Sequence, residues 1–77
     1  DNMLRVWTTE IRQKRLKTGF YESKATIRKR AIEEYNQQYN WPIVSVIEEW
    51  FYDYTALELT VYYQDNSEYP RGKEENE

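Results

Sequence analysis

The clearest alternation of apolar and polar positions lies near the C-terminal end. In residues 55–64 (TALELTVYYQ), Leu57, Leu59, Val61 and Tyr63 fall on one side, and Ala56, Glu58, Thr60, Tyr62 and Gln64 on the other. A period of two predicts a strand with one buried and one wet face. Residues 43–51 (IVSVIEEWF) predict its hairpin partner, joined through Tyr52-Asp53-Tyr54. A short helix over 43–51 is the alternative, and the β-branched run Ile43-Val44-Ser45-Val46-Ile47 weighs against it. Residues 3–13 (MLRVWTTEIRQ) predict another strand. It sets Leu4, Val6 and Thr8 against Met3, Arg5, Trp7, Thr9 and Ile11. Both of its sides carry apolar groups, which predicts cover on both for part of its length. A basic hairpin tip at 12–17 (RQKRLK) then leads into a return strand over about 14–21, where Gly19 marks a bulge. No Asn-Gly or Asp-Gly sets the register of that turn.

Between these runs the period changes. Over 23–39 (SKATIRKRAIEEYNQQY), Ala25, Ala31, Ile32, Tyr35 and Tyr39 share one arc of a helical wheel, with Ile27 at its margin. Ser23 is the expected N-cap, and Pro42 ends the helix and holds Trp41 extended. The order strand, strand, helix, strand, strand predicts an α+β fold of two layers, one amphipathic helix on a four-stranded, mostly antiparallel sheet. Residues 1–64 form one expected compact domain. Residues 65–77 (DNSEYPRGKEENE) have little to bury and are expected to be a disordered acidic tail. One sheet face packs on the helix, and no predicted element is left to cover the other.

An opening strand with Thr9-Glu10, a basic turn, a return ending Tyr21-Glu22-Ser23 and a helix containing Ala31-Ile32-Glu33-Glu34-Tyr35 resemble the small DpnD/PcfM-like proteins over residues 3–39. Those proteins are carried on phage, plasmid and other mobile-element gene clusters. The resemblance implies a strand-strand-helix start and a mobile-element origin. It brings no catalytic motif and no activity. The aromatic hairpin after Pro42 departs from the plainer ending of that family.

Charge sharpens the picture. Residues 2–30 hold nine Lys/Arg against Glu10 and Glu22, a sum of +7; residues 31–77 hold two bases against eleven acids, a sum of −9. The net charge of −3 hides this dipole. It bears on partners rather than on fold. With no cysteine and no histidine, the chain lacks disulfides, thiolate metal ligands and the usual nucleophilic pairs. The lack of cysteine agrees with a cytoplasmic location, and no apolar run reaches the ~18 residues that span a membrane. No secretory leader pattern opens the chain. Glu33-Glu34, Glu48-Glu49 and Asp53 are the carboxylates that could serve as acid, base or Mg²⁺ ligands. Adjacent acids diverge on a helix or strand, and no phosphate-binding glycine loop accompanies them. The expectation is a non-enzyme with no catalytic residues, no cofactor and no metal.

Two binding sets remain. Three Trp, eight Tyr and two Phe supply the apolar mass. The rings near the second hairpin, with the acids among them, predict a protein-binding face at Trp50, Tyr52, Asp53, Tyr54, Glu58 and Tyr62. The corresponding function is a non-catalytic protein-binding module, a mobile-element regulator or inhibitor. The alternative is a nucleic-acid-binding module that grips phosphates with Arg12, Lys14, Arg15, Lys17, Lys29 and Arg30 on the hairpin tip and the first half of the helix. Two open faces covering each other in a homodimer are the third arrangement. Arg28 falls inside the apolar arc and is expected to pair structurally with Glu48 or Glu49.

Overall fold

A computed structural model describes residues 2–66. Strand β1 runs Asn2–Arg12, helix α1 Lys24–Gln38, strand β2 Ile43–Phe51 and strand β3 Ala56–Asn66. The sheet is antiparallel in the order β1-β3-β2. It has three strands, not the expected four. β3, the strand with the cleanest alternation, takes the centre. It pairs along its length with β1, from Asn2↔Asn66 to Arg12↔Ala56. β2 lies on its other side, from Ile43↔Tyr63 to Phe51↔Ala56, with an irregularity between Ile43 and Ser45. The β-branched run of β2 is a strand, not a helix. β3 also continues through Asp65 to Asn66, past the expected boundary at residue 64. The acidic segment 67–77 lies outside the described residues.

The missing strand is residues 14–21. They fold back on themselves through the bridge Arg15↔Tyr21, the bonds Leu16 N–H to Phe20 C=O (2.6 Å) and Gly19 N–H to Leu16 C=O (2.9 Å), and Arg15 Nε to Gly19 C=O (3.1 Å). The reason is chemical. Leu16, Phe20 and Tyr21, the apolar groups of this segment, all stay exposed and join no core, so nothing repays the ordering of a fourth strand. Gly19 makes no bulge; at φ 96° it closes this turn, a conformation that an L side chain resists.

The base of the loop is anchored by a buried carboxylate. Glu22 accepts from Arg30 Nε (2.7 Å), Arg30 Nη2 (2.8 Å) and the Lys14 backbone N–H (2.8 Å). The Arg30 guanidinium also donates to the Arg12 carbonyl, which ties loop, helix and β1 together. The Arg30 hydrogen bond holds the Glu22 carboxyl below its ordinary range, against the upward push of burial.

Ser23 caps α1 by accepting from the Thr26 N–H, as its residue type predicts. The buried stripe is Ile27, Ala31 and Tyr35, spaced by four. The stripe is rotated from the expected arc: Ile27, at the expected margin, is fully buried and Ala25 is exposed. These side chains meet Ile11, Leu57, Leu59, Val61 and Tyr63. Trp41 closes one end of the core, stacked on Tyr39 (5.2 Å) and Tyr63 (5.3 Å), while the Tyr35 hydroxyl donates to its carbonyl at 2.8 Å. Burial pushes the Tyr35 phenol up to about 12.

The helix lies across β1 and β3. It reaches β2 through long side chains, Arg28 to Glu48 and Lys24 to Trp50. Ile43 and Val46 of β2 are therefore exposed. Among the described residues no element covers the opposite sheet face. β1 is covered on one side only, unlike the expectation, and Leu4 and Val6 stand bare.

The β2–β3 turn is built against backbone preference. Tyr52, Asp53 and Tyr54 all have positive φ (52°, 57° and 67°). Left-handed residues with side chains cost about 1–2 kcal/mol each, least for Asp and Asn. Thr55 holds the turn: its N–H donates to Phe51 C=O (3.1 Å), its hydroxyl to Tyr52 C=O (2.8 Å), and its carbonyl accepts from Gln13 N–H (2.8 Å). Asp53→Gly removes one strained Cβ without touching either ring. A gain of about 0.5 kcal/mol in urea unfolding is expected, because added freedom of the unfolded chain offsets part of the relief. A loss of stability would contradict the strained geometry.

Candidate functional site

Two surfaces carry the candidate chemistry. The first is the open face of the sheet. The register places Val6 opposite Tyr62, and Ile47 opposite Thr60, which faces Thr8 on its other side. Leu4, Val6 and Ile47 are 58%, 55% and 54% exposed, and Tyr62 sits half-buried among them. The next row toward the turn is acidic. Glu10 and Glu49 each stand opposite Glu58, so three carboxylates line up across the sheet. Like charges directly opposite cost roughly 0.2–1 kcal/mol per pair. Among the described residues no group of acids is placed to hold a metal ion.

The second surface is the end of the sheet where β1 finishes and the β2–β3 turn projects. Here the structure joins two sets that the sequence separates, the basic loop and the aromatic hairpin. The Arg12 guanidinium lies over the Tyr52 ring (5.4 Å), the Lys24 ammonium over Tyr54 (4.2 Å) and Trp50 (5.3 Å), and Arg15 over Tyr21 (5.8 Å). Phe20 and Tyr52 are 74% and 70% exposed, and Tyr21 and Tyr54 are exposed as well. A hollow of about 310 Å³ between Arg12, Tyr52, Ala56 and Glu58 joins this end to the open face.

The expected protein-binding set does not share one surface. Glu58 and Tyr62 lie on the open face; Tyr52, Asp53 and Tyr54 form the turn. Trp50 stands opposite Leu57 on the helix side, so it is corrected out of the open face by strand parity. Its ring is half-buried, and its indole N–H donates to Glu48 at 3.1 Å. Arg28 donates to both oxygens of the same Glu48. That hydrogen bond holds the Glu48 carboxyl low and the Arg28 guanidinium high. The Arg28–Glu48 pair is partly open to solvent, which limits what it adds to stability.

The expected phosphate-binding set fares differently. Arg30 is committed to Glu22 and to the Arg12 carbonyl, and its side chain is only 26% exposed. Arg12, Lys14, Arg15, Lys17 and Lys29 remain exposed, and among the described residues none of them has a carboxylate within ion-pair distance. The sequence reading missed Leu4, Val6, Ile47 and Glu10 on the open face, and Phe20 and Tyr21 at the end of the sheet. The alternation of 3–13 already set Leu4 and Val6 on one side; only the strand register shows what stands beside them.

No helix among the described residues is long and apolar enough to cross a membrane. Comparison of the chain with protein-family models, with curated proteins and with solved structures finds no match.

Proposed function

We propose that this chain is a non-catalytic protein-binding module that docks a partner protein on the open face of its sheet. One observation carries the reading: exposed apolar side chains from two strands, Leu4, Val6 and Ile47 around Tyr62, border the carboxylate row Glu10-Glu58-Glu49. An apolar area beside a polar rim is the anatomy of a contact surface, with the half-buried tyrosine as its anchor. The carboxylate row is unfavourable in the free protein and becomes favourable under a Lys or Arg of the partner. The fitting partner therefore presents an apolar ridge flanked by basic side chains. A second copy fits worse. Two such faces would oppose their carboxylate rows or bury carboxylates on aliphatic side chains, and both are costly. The role of regulator or inhibitor in a mobile element rests on the resemblance over residues 3–39 alone.

Site-specific photo-crosslinking tests this. A photoreactive side chain at Val6 or Ile47 is expected to trap the same partner in native cells, and one at Asn36 on the helix is not. Tyr62→Ala lowers the yield at both sheet positions by about tenfold, the loss of a buried aromatic anchor, while the thermal melt of the free protein hardly moves. Crosslinks only to a second copy of this chain, or equal trapping from Asn36, would overturn the proposal.

A further inference from the structure

We infer that the cationic, aromatic end of the sheet is a site for single-stranded nucleic acid, separate from the open face and independent of what docks there. The argument starts from where the loop at 13–22 is fixed. The Glu22–Arg30 pair and the Gln13 N–H to Thr55 C=O bond hold its base against the β2–β3 turn. Arg12, just before the loop, lies over Tyr52; Lys24, just after it, lies over Tyr54; and Arg15 lies over Tyr21 within it. Phe20, Tyr21, Tyr52 and Tyr54 are exposed, and among the described residues none of Arg12, Lys14, Arg15, Lys17 and Lys24 has a carboxylate within ion-pair distance.

Cations track a phosphate backbone, and ring faces stack on bases. The combination selects for unpaired bases, because a duplex hides base faces inside its own stack. The neighbouring Glu10-Glu58-Glu49 row strengthens that selection. A single strand can follow the cations and avoid it, while the second strand of a duplex brings more phosphates toward the carboxylates. The strained turn adds a structural point. Three left-handed residues in succession hold Tyr52 out from the sheet, with Arg12 over its ring and most of it still exposed. Acidic protein segments would be drawn to the same cations but gain little from ring faces, so the rings discriminate between the two ligands.

The probe is a fluorescein-labelled 20-nucleotide oligo(dT), read by anisotropy with the full chain. Binding is expected at 50 mM salt, weaker by about 50-fold at 200 mM if four phosphates are engaged. A 20-base-pair duplex is expected to bind at least tenfold more weakly than the single strand. The triple variant Lys14→Glu, Arg15→Glu, Lys17→Glu abolishes binding. Tyr52→Ala and Tyr21→Ala, both at exposed rings, each weaken it by at least about fivefold. Thermal melts matching wild type show that these variants fold. No anisotropy change at 50 mM salt and 100 μM protein overturns the inference. So does equal affinity for duplex, or an oligo-glutamate peptide that competes as well as unlabelled oligo(dT). Neither result bears on the crosslinks expected from Val6 and Ile47.

Discussion

Arg30→Met is expected to cost about 3 kcal/mol of unfolding free energy at pH 7, the usual penalty for orphaning a buried carboxylate. The side chain of Glu22 is 5% exposed, and Arg30 supplies two of its three hydrogen bonds. Methionine fills the space of the arginine stem and leaves the charge without its partner. In a domain this small, the loss is a large share of the total stability. The pH dependence carries a second signature. In the wild type the Glu22 pKa is depressed by Arg30, so the pair stabilises above the unfolded carboxylate value near 4.3. That contribution disappears as pH falls through the folded value. In Arg30→Met the largest depressing contact is gone, so the folded pKa lies above that of the wild type. Protonation then costs the variant less than the wild type, and the gap between the two proteins narrows between pH 7 and pH 3. Urea unfolding at both pH values measures it. A gap under about 1 kcal/mol at pH 7, or one that widens in acid, would show that Glu22 is not the buried anchor described above.

Trp41→Ala is expected to cost about 4 kcal/mol, within the range for deleting a buried large aromatic. Trp41 sits outside helix and strand, yet it is 8% exposed and stacks on both Tyr39 and Tyr63. Those two rings also stack on each other at 5.2 Å, and Tyr63 meets Tyr35 at 5.6 Å. Removing the indole exposes the end of the core at which the chain leaves the helix and enters β2. Near-UV circular dichroism loses the coupled ring signal as well, which separates loss of this stack from a general loosening. A cost below about 1 kcal/mol would mean that the helix and the central strand hold without it.

The contrast between these two anchors explains what was readable beforehand. Local rules act on neighbours in the chain. The alternation of Leu57, Leu59, Val61 and Tyr63 named the strand that became central, and the β-branched run at 43–47 named its partner. Ser23 caps the helix as its residue type predicts, because capping depends on a few adjacent atoms; the other end comes at Gln38, with Tyr39 as its cap, before Pro42 is reached. The return strand at 14–21 failed because strand formation needs an edge and an apolar face. A stretch whose Leu16, Phe20 and Tyr21 find no place in the core is decided by what it can pack on. Glu22 was equally illegible: one more acid among charges until Arg30 and the Lys14 N–H closed around it.

The same distinction governs the two surfaces. Composition and order alone established a charge-segregated, ring-rich α+β chain whose single helix covers only one side of a sheet. Which side chains share the bare side was settled by strand register. That register moved Trp50 to the helix side and aligned Glu10, Glu58 and Glu49 across three strands. Bringing Arg12 over Tyr52 and Lys24 over Tyr54 needed contacts between residues 30 or more positions apart. Periodicity is a property of a segment and can be seen in a string of letters. Adjacency between distant segments is a property of the whole packed chain, because the burial energy that selects it exists only once the core has formed.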